Sequence, residues 1–336
     1  MKAIGYHRNL PVDQPLALED LDLPAPQPGP RDLLVRVKAI SVNPVDTKVR
    51  RNSAPPAGQA KVLGWDAVGV VEAVGADVAG FQPGDRVFYA GSITRPGANS
   101  ELHVVDERIV AKAPASLEDA QAAALPLTAI TAWELLFDRL RVARGGGAGQ
   151  SILIVGGAGG VGSILIQLAR QLTQLEVIAT ASRPETQAWC RELGAHAVID
   201  HSQPLAQALK DAGHGPVDYV AALTQTDRHY EQIIESLKPQ GAIGVIDDMP
   251  VLDAMKLKQK ALSLHWELMF TRSKFETPDM PEQGRLLSEV AMLVDAGRLR
   301  TTAGAHFGAI NAANLLKAHA FIESGKAQGK VVLEGF

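Results

Sequence analysis

A glycine-rich turn set between an apolar run and a helical pattern constrains this chain more than any other feature. The apolar run 151–155 leads into Gly157-x-Gly159-x-x-Gly162, and residues 163–170 continue with helical spacing. This order predicts a strand, a tight turn and a helix, because bare backbone lets the two elements pack closely and lets a pyrophosphate approach. A purely structural turn would also use glycine, but the flanking pattern favours a dinucleotide site. The predicted cofactor-binding residues of the turn are Gly157, Ala158, Gly159, Gly160, Val161 and Gly162.

The end of the second predicted strand lacks the carboxylate that holds the ribose hydroxyls of NAD. The chain there runs Ala181-Ser182-Arg183, about twenty residues after the glycine turn. A carboxylate would repel a 2′-phosphate, whereas the hydroxyl of Ser182 and the guanidinium of Arg183 can both donate to one. The expected cofactor is therefore NADPH, and the alternative is that Arg183 is only a solvated loop residue.

Residues beyond the turn alternate between apolar runs and amphipathic stretches, which predicts parallel strands joined by helices. The predicted strands are 152–156, 176–181, 196–200, 217–223, 241–247 and 261–267, with helices near 160–172, 184–193, 203–212 and 226–237. Together they would form a doubly wound, six-stranded sheet of the α/β class. Ligands of such sheets bind at the carboxyl ends of the strands. We therefore expect Leu223, Thr224, Ile246 and Asp247 beside the nicotinamide half of the cofactor.

The sequence on either side of this region predicts a second, discontinuous domain. Before residue 125, proline and glycine clusters separate short β-rich runs at 33–40, 67–74, 86–89 and 100–105, which is typical of a partly antiparallel domain. After the sixth strand, helices near 281–297 and 310–324 and strands near 301–307 and 330–334 are expected to complete it. The predicted domains are thus 1–125 with 271–336, and 126–270.

Composition excludes several classes of protein. The 336 residues carry a net charge of −4 without a block of like charges, so neither nucleic acid nor an anionic membrane is indicated as a partner. The uncharged run 151–169 is long enough for a membrane span, but its central glycines fit a strand, turn and helix better. The N-terminus lacks the apolar segment of a signal peptide, so a cytoplasmic protein is expected. The single Cys190 excludes an intramolecular disulfide and is expected in the core.

Four further motifs, together with the glycine turn, carry a resemblance to a known family. They are VNPVD at 42–46, GWDAVGVVE at 64–72, FQPGDRV at 81–87 and LPLTA at 125–129. In this order they resemble the medium-chain dehydrogenase/reductase superfamily, most of all the quinone oxidoreductase branch and its zinc-type alcohol dehydrogenase-like proteins. The resemblance covers nearly the whole chain and implies a GroES-like, β-rich catalytic domain plus a Rossmann domain. It also implies a homodimer that pairs the edge of the last Rossmann strand.

The same motifs indicate that the zinc ligands of the alcohol dehydrogenases are missing. Asn43 stands at the position of a cysteine ligand, Trp65 at that of a histidine, and the third ligand position falls near Leu127. Amide, indole and aliphatic groups do not ligate zinc. The four-cysteine lobe that holds a structural zinc in those enzymes is also missing between residues 89 and 110, so no metal is expected.

Without a metal, the expected chemistry is the reduction of a conjugated acceptor. A simple alcohol or carbonyl needs a strong electrophile, and Val45 replaces the hydroxyl-bearing residue of the alcohol dehydrogenases. Hydride added to a quinone or an α,β-unsaturated carbonyl leaves charge on a distant oxygen, which a few hydrogen-bond donors stabilise. We therefore expect an NADPH-dependent oxidoreductase acting on a small quinone or enone. The alternatives are a zinc alcohol dehydrogenase and an NADPH-binding sensor or structural protein without turnover.

Five residues are expected at the acceptor site, three of them from their motif positions. Asn43 is expected to donate to the acceptor oxygen, Asp46 to orient its loop, and Thr131 to touch the nicotinamide face. Trp65 and Tyr89 would supply apolar walls suited to a flat ring. Structural alternatives remain, because Asn43 can form a turn, Asp46 can cap a helix and Trp65 can belong to the core.

The phosphate end of the cofactor site departs from the family pattern. Many NADPH-using relatives carry a lysine soon after the serine and a tyrosine after the next strand, whereas this chain has Glu185 or Thr186 and then His201. Phosphate binding would thus depend on Ser182 and Arg183, together with His201.

Overall fold

The structure is a computed structural model that describes residues 1–336, and the chain in it divides into two units. The first unit consists of Met1–Ile130 and Phe270–Phe336, and the second of Thr131–Met269. The first unit is therefore discontinuous in sequence, and the second is inserted into it as one segment.

Sixteen strands and ten α-helices make up the two units. The strands are β1 (Lys2–Tyr6), β2 (Glu19–Asp22), β3 (Asp32–Val42), β4 (Lys61–Val62), β5 (Ala67–Val74), β6 (Arg86–Tyr89), β7 (Leu102–Asp106), β8 (Val110–Lys112), β9 (Ser151–Val155), β10 (Glu176–Thr180), β11 (Ala197–Ile199), β12 (Val217–Ala222), β13 (Leu237–Val245), β14 (Ser263–Trp266), β15 (Ala303–His306) and β16 (Lys330–Glu334). The helices are α1 (Pro44–Asn52), α2 (Asp119–Ala123), α3 (Pro126–Trp133), α4 (Gly160–Leu172), α5 (Pro184–Glu192), α6 (Leu205–Asp211), α7 (Thr226–Ser236), α8 (Thr271–Phe275), α9 (Glu282–Asp295) and α10 (Ala312–Glu323). A π-helical turn, Glu134–Arg139, continues α3, and 3₁₀ turns lie at Glu107–Ile109 and Ala254–Lys260.

Strand β3 organises the first unit. Its side chains alternate between buried and more exposed positions along most of its length, as expected for a strand with one face on a core. It pairs antiparallel with β5, β7 and β16. The resulting seven-stranded sheet has the order β15-β16-β3-β5-β6-β8 with β7 beside β3, and a separate three-stranded sheet has the order β2-β1-β4. Because β16 lies beside β3, the last strand of the chain places Val331 opposite Val42.

Four strands of the first unit were not predicted from the sequence. These are β1, β2, β4 and β8, which are two to five residues long. None of the four shows a clear alternation of apolar and polar side chains, and β4 and β8 are only two and three residues long. The other strands before residue 125 and the elements after residue 280 lie where the pattern predicted them.

The second unit contains the predicted doubly wound sheet. Its six strands are all parallel and follow the order β11-β10-β9-β12-β13-β14. All five residues of β9 are buried, because helices cover both faces of a parallel sheet. Right-handed crossovers place α4 and α5 on one face and α6 and α7 on the other. The strand order reverses between β9 and β12, so the carboxyl ends of these two strands open the crevice in which such sheets bind ligands.

Strand β13 begins earlier than its hydrophobic pattern predicted. Helix α7 ends at Ser236 and β13 starts at Leu237, although the prediction ran the helix to 237 and began the strand at 241. The pairing register with β12 shifts after Val217, and Gln240 adopts a positive φ of 67°. An irregularity of this kind accommodates Pro239, which has no N–H to donate to the ladder.

Two apolar segments that are long enough for a membrane span lie in the interior of the protein. The run 151–169 forms β9, the glycine turn and α4, and Cys190 of α5 is fully buried, as expected of a core thiol. One helical stretch, Asp119–Arg139, has the length and hydropathy of a membrane span, but 89% of its apolar window is buried inside the protein, as in a core helix.

A buried pair of carboxyl groups lies in the second unit. Glu134 of the π-helical turn is fully buried, Glu267 after β14 is 3% exposed, and the two carboxyl groups interact electrostatically. Repulsion between two buried carboxylates favours the protonated form of one of them. Burial and the nearby Glu134 raise the pKa of Glu267 to about 9, although Arg139 Nε donates to its Oε2 at 2.7 Å.

This pair predicts a loss of stability as pH rises from about 5 to 9. The folded chain keeps a proton that the unfolded chain releases above the ordinary glutamate pKa, so the free energy of unfolding falls with rising pH over that interval. In Glu134→Gln an amide replaces one carboxyl group, and Glu267 can ionise against Arg139. We expect wild type and variant to unfold alike in urea at pH 5 and the variant to be about 2 kcal/mol more stable at pH 8. Glu231→Gln, at the surface, is the control, and parallel pH profiles for wild type and Glu134→Gln would contradict the prediction.

Candidate functional site

Close packing fixes two of the three glycines of the turn between β9 and α4. A Cβ atom on Gly157 would lie 2.7 Å from Ala179 Cβ, and one on Gly162 would lie 2.4 Å from the carbonyl oxygen of Gly156. A Cβ on Gly159 would meet only the Gly156 oxygen at 3.5 Å, which is ordinary contact. Packing therefore explains why positions 157 and 162 require glycine. At Gly159, the absence of a side chain instead leaves the backbone accessible at the surface of the turn.

Helix α4 begins at the carboxyl edge of the parallel sheet with an uncapped N-terminus. Its N-cap residue is Gly159, which has no side chain to accept from the first backbone N–H groups. Gly160 and Val161 in the first turn are half-buried, so their amides are close to solvent. Unpaired N–H groups and the positive end of the helix dipole suit an anion. The residues of the turn thus fit the pyrophosphate of a nicotinamide dinucleotide.

The ends of β10 and β11 hold the residues expected at the phosphate end. Ser182 is exposed, and Arg183 is half-exposed with its Nε donating to Glu185 Oε1 at 2.6 Å. The Thr180 hydroxyl accepts from Gly156 N at 3.0 Å and contacts His201 Nδ1 at 3.2 Å. A backbone hydrogen bond from Ala181 N to Ile199 O, 3.0 Å long, joins the two strand ends. The structure therefore brings Ser182, Arg183 and His201 to the same edge of the sheet.

The ends of β12 and β13 are tied together by a carboxylate. Asp247 accepts from Thr226 N at 3.0 Å and from the Thr226 hydroxyl, so it fixes the start of α7. Leu223 and Ile246 are half-buried and Thr224 is exposed, at the edge where the nicotinamide half is expected. Asp247 thus has a positioning role in the structure that its place in the sequence did not suggest.

A fully buried polar cluster lies in the first unit around Asp66. The Asp66 carboxylate accepts from Ser41 Oγ at 2.8 Å, Asn43 Nδ2 at 2.8 Å and Leu127 N at 2.7 Å, and it lies 3.0 Å from Lys330 Nζ. The Lys330 ammonium also donates to the Asn43 side-chain oxygen. All these side chains except that of Leu127 are at most 2% exposed. Burial of such a charge is tolerated only when it is paired and hydrogen-bonded throughout, as it is here.

Asn43 has both amide hydrogens engaged inside the protein. One is donated to Asp66, and the other to the Trp65 carbonyl oxygen at 3.3 Å. Donation to an acceptor oxygen would require the longer of these bonds to be exchanged. The role predicted for Asn43 stays a prediction, and its structural role is to join β3 to β5 and β16.

Asp46 holds two backbone N–H groups in place, and its predicted role at the acceptor site stays a prediction. Its carboxylate accepts from Asn43 N at 2.8 Å and from Gly64 N at 3.0 Å, and it closes the capping box at the start of α1. Burial raises the pKa of Asp46 to about 7, because desolvation outweighs the two backbone donors and the Lys330 charge, with Asp66 adding repulsion. The carboxyl group holds the loop that carries Asn43 against the segment before β5.

The aromatic residues expected as walls are buried in this structure. Trp65 is 1% exposed, its Nε1 donates to Ser92 O at 3.2 Å, and its ring meets Phe270 edge to face with centroids 5.9 Å apart. Tyr89 is fully buried, stacks on His103 with ring centroids 5.4 Å apart, and its hydroxyl lies 3.0 Å from His103 Nδ1. Burial lowers the pKa of His103 to about 4. Both aromatic rings therefore pack in the core of the first unit, and their contact with an acceptor stays a prediction.

Thr131 begins the second unit and is buried within α3, with 5% of its surface exposed. Its predicted contact with the nicotinamide face stays a prediction.

The residues at the family's zinc positions do not fit a metal. Asn43 and Trp65 donate their side-chain N–H groups to protein oxygens, and Leu127 offers only its backbone N–H to Asp66. The structure has no group of three or more histidine, cysteine, aspartate or glutamate side chains placed to hold a metal ion. Zinc needs imidazole, thiolate or carboxylate ligands in a tetrahedral set, which this donor set does not supply.

Several residues of these clusters escaped the sequence analysis. Lys330 is 287 positions from Asn43, so no local spacing joins the two. Thr180 and Thr226 lie close to predicted strand ends, but threonine is common at such positions and signals no ligand. A search for polar residues at all carboxyl strand ends would have found them.

Two family models match the chain. The model described as alcohol dehydrogenase GroES-like domain matches residues 29–115, and the model described as zinc-binding dehydrogenase matches residues 193–333. A zinc-type alcohol dehydrogenase-like protein of Staphylococcus aureus (strain MSSA476) is 40% identical over 338 residues, with 99% of each chain covered.

Solved structures match the full length of the chain. The crystal structure of a candidate zinc-dependent alcohol dehydrogenase protein from Rhizobium etli CFN 42 has a TM-score of 0.96 at 58% identity, covering 100% of this chain and 98% of that one. The quinone oxidoreductase of Escherichia coli in complex with NADPH has a TM-score of 0.84 at 25% identity, covering 99% and 100%. The predicted combination of a GroES-like domain with a Rossmann domain is therefore confirmed.

Removal of the buried ammonium is expected to destabilise the first unit strongly. In Lys330→Met the Asp66 carboxylate loses its cation while it stays buried, which costs about 3–5 kcal/mol in the free energy of unfolding. The double variant Asp66→Asn/Lys330→Met removes both charges and is expected to recover part of this loss. Denaturant unfolding measures both, with the exposed Lys317→Met as the control. A Lys330→Met variant as stable as Lys317→Met would exclude the proposed charge balance.

Proposed function

Since the chain belongs to the medium-chain dehydrogenase/reductase superfamily, in its quinone oxidoreductase branch, we propose that it transfers hydride from NADPH to a quinone or an α,β-unsaturated carbonyl compound. The observation that carries the proposal is the uncapped N-terminus of α4 at the carboxyl edge of the parallel sheet, which suits a pyrophosphate. The similarity to a quinone oxidoreductase solved with NADPH supports the phosphorylated cofactor.

The proposed cofactor site in the second unit has a phosphate end and a nicotinamide end. Ser182, Arg183 and His201 would hold the 2′-phosphate, while Leu223 and Ile246 offer apolar surface for the nicotinamide ring. The bound nicotinamide supplies the hydride. Asp247 fixes the loop before α7 through Thr226, which keeps this edge of the sheet in one arrangement.

The chemistry at the family's zinc positions favours a conjugated acceptor. The Lys330 ammonium is buried beside Asp66 and donates its hydrogen bonds to protein oxygens. It therefore cannot polarise a simple carbonyl or alcohol as a metal would. A quinone or enone needs only hydrogen-bond donors for the oxygen that gains charge. We propose Asn43 for that role. Its side-chain amide donates to Asp66 and to the Trp65 carbonyl oxygen, and the second bond is the longer of the two, at 3.3 Å.

Cofactor preference can be tested at Arg183. In Arg183→Ala the 2′-phosphate loses a charge-assisted donor, so NADPH affinity should fall about tenfold while NADH affinity is unchanged. Glu185→Gln should strengthen NADPH binding, because it removes the carboxylate that Arg183 contacts. Fluorescence titration of the reduced cofactors measures both, with Arg191→Ala on α5 as the control. Equal NADPH and NADH affinities in the wild type and in Arg183→Ala would reject the preference.

The acceptor class and the metal can be tested together. Purified protein should consume NADPH with 1,4-benzoquinone and with short enones, at rates that a chelator does not change, and should contain far less than one zinc per chain. Simple aldehydes and alcohols with NADP⁺ serve as comparison substrates. Activity that disappears with the chelator and returns with zinc would indicate a zinc alcohol dehydrogenase. Tight NADPH binding without turnover of any acceptor would indicate a binding protein.

A further inference from the structure

Two histidines meet at the carboxyl edge of the parallel sheet. His201 follows β11, and His229 lies in the first turn of α7. Their ring centroids are 6.2 Å apart and their planes are inclined at 72°, an edge-to-face arrangement. This edge is the one that carries the uncapped N-terminus of α4 and Ser182.

Hydrogen bonding within the protein leaves most nitrogens of this pair unused. Because Gly156 N donates to Thr180 Oγ1, the Thr180 hydroxyl hydrogen can be donated to His201 Nδ1, 3.2 Å away. The other ring nitrogen of His201, Nε2, has no hydrogen-bond partner within the protein. In His229 the Nδ1 atom is buried and has no hydrogen-bond partner. A buried nitrogen without a partner destabilises the protein unless a ligand satisfies it.

The position of the pair suits the phosphate that distinguishes NADPH from NADH. The hydrogen bond from Ala181 N to Ile199 O makes the segments that lead to Ser182 and His201 leave the sheet side by side. Ser182 is exposed, and its hydroxyl makes no hydrogen bond within the protein. The Ser182 hydroxyl and the His201 ring therefore follow neighbouring strand ends, and the His229 ring lies beside that of His201.

Arg183 is a weak anchor by itself in this chain. Its Nε donates to the Glu185 carboxylate at 2.6 Å, and that carboxylate opposes a second anion nearby. The lysine that many NADPH-using relatives carry soon after the serine is replaced by Glu185 or Thr186. Selective binding of a dianion therefore requires positive charge from another element of the sheet edge.

We propose that His201 and His229 bind the adenosine 2′-phosphate of NADPH and that His229 takes up a proton as the phosphate binds. The inference rests on the proposed function and identifies the residues that give it cofactor specificity. Imidazolium donates a charge-assisted hydrogen bond, which is stronger than that of the neutral ring. Preference for NADPH over NADH should therefore grow as the pH falls.

The charges around His229 set the direction of this effect. Burial lowers the pKa of His229 below its ordinary value, and His201 and Arg228 lower it further, while Asp227 raises it. The ring is therefore neutral at neutral pH in the free protein. A bound phosphate raises the pKa of His229 because it faces the ring with opposite charge. The complex then holds a proton that the free protein lacks, so affinity increases as the pH falls through the pKa of the complex.

Calorimetric titration with adenosine 2′,5′-bisphosphate tests the proposal, with adenosine 5′-monophosphate as the ligand that lacks the 2′-phosphate. Measurements at pH 6 and pH 8, each in two buffers of different ionisation heat, give the affinity and the number of protons taken up. We expect His229→Gln to lower bisphosphate affinity about tenfold at pH 6 and much less at pH 8. Monophosphate affinity should be unchanged. The ligand's own ionisation is common to all the proteins, so the difference between wild type and variant isolates His229.

His265→Gln is the matched control, because His265 is a partly buried histidine of β14 whose ring is hydrogen-bonded to Ser263. A second measurement needs no variant: the NMR titration of His229 in the wild-type protein should move to higher pH when the bisphosphate is added. Identical pH dependence in wild type and His229→Gln, or an unchanged His229 titration, would overturn the proposal. Failure of the wild type to bind NADPH, the bisphosphate and the monophosphate would instead refute the proposed function.

Discussion

The structure depends on how closely strand β9 can approach helix α4. Gly157 packs against Ala179 and Gly162 packs against the Gly156 carbonyl, at distances where no side chain fits. This approach brings the first turn of α4 directly to the carboxyl edge of β9. Because Gly159 supplies no capping side chain, the helix keeps its unpaired N–H groups at that edge. The packing of the turn therefore leaves unpaired backbone N–H groups in a position that suits an anion.

A buried, charged cluster around Asp66 joins three strands of the first unit. Around Asp66, an ammonium from the last strand and an amide from the loop after β3 satisfy a carboxylate that is entirely buried. Lys330 balances the charge, but an ammonium has no vacant orbital with which to polarise a substrate. The cluster therefore supplies a buried positive charge without Lewis acidity. Its role in the protein is to hold β3, β5 and β16 together.

Patterns of local sequence predicted the second unit well because its elements are long and periodic. The six parallel strands and the four helices between them lie close to the predicted segments, and the glycine spacing located the turn. The one marked shift, at the start of β13, arises where Pro239 sits inside a strand, which is unusual enough to disguise its beginning. The start of β13 depends on its pairing with β12, which the local hydrophobic pattern does not contain.

Side-chain environments were less predictable than the strands that carry them. The type of Trp65 suggests a flat wall for a ring, but whether it faces a ligand or Phe270 depends on residues far away in the sequence. Asn43 and Lys330 are neighbours only because β16 returns beside β3. Asp247 was placed at the correct strand end, yet its partner Thr226 comes from another strand end. Residue type and local spacing contain no information on such pairs.

At the proposed phosphate end, a bound phosphate would compete with Glu185 for the Arg183 guanidinium. Glu185 lies in the first turn of α5, where the helix N-terminus stabilises a carboxylate, and its pKa is lowered by backbone hydrogen bonding and by Arg183. A phosphate must therefore draw the Arg183 guanidinium away from a partner that the helix already favours. An unphosphorylated ribose makes no such demand, since its hydroxyls can bind the carboxylate directly. Under the proposed function, discrimination between the two cofactors would depend on donors that Glu185 does not occupy. At this sheet edge those donors are the Ser182 hydroxyl and the imidazoles of His201 and His229.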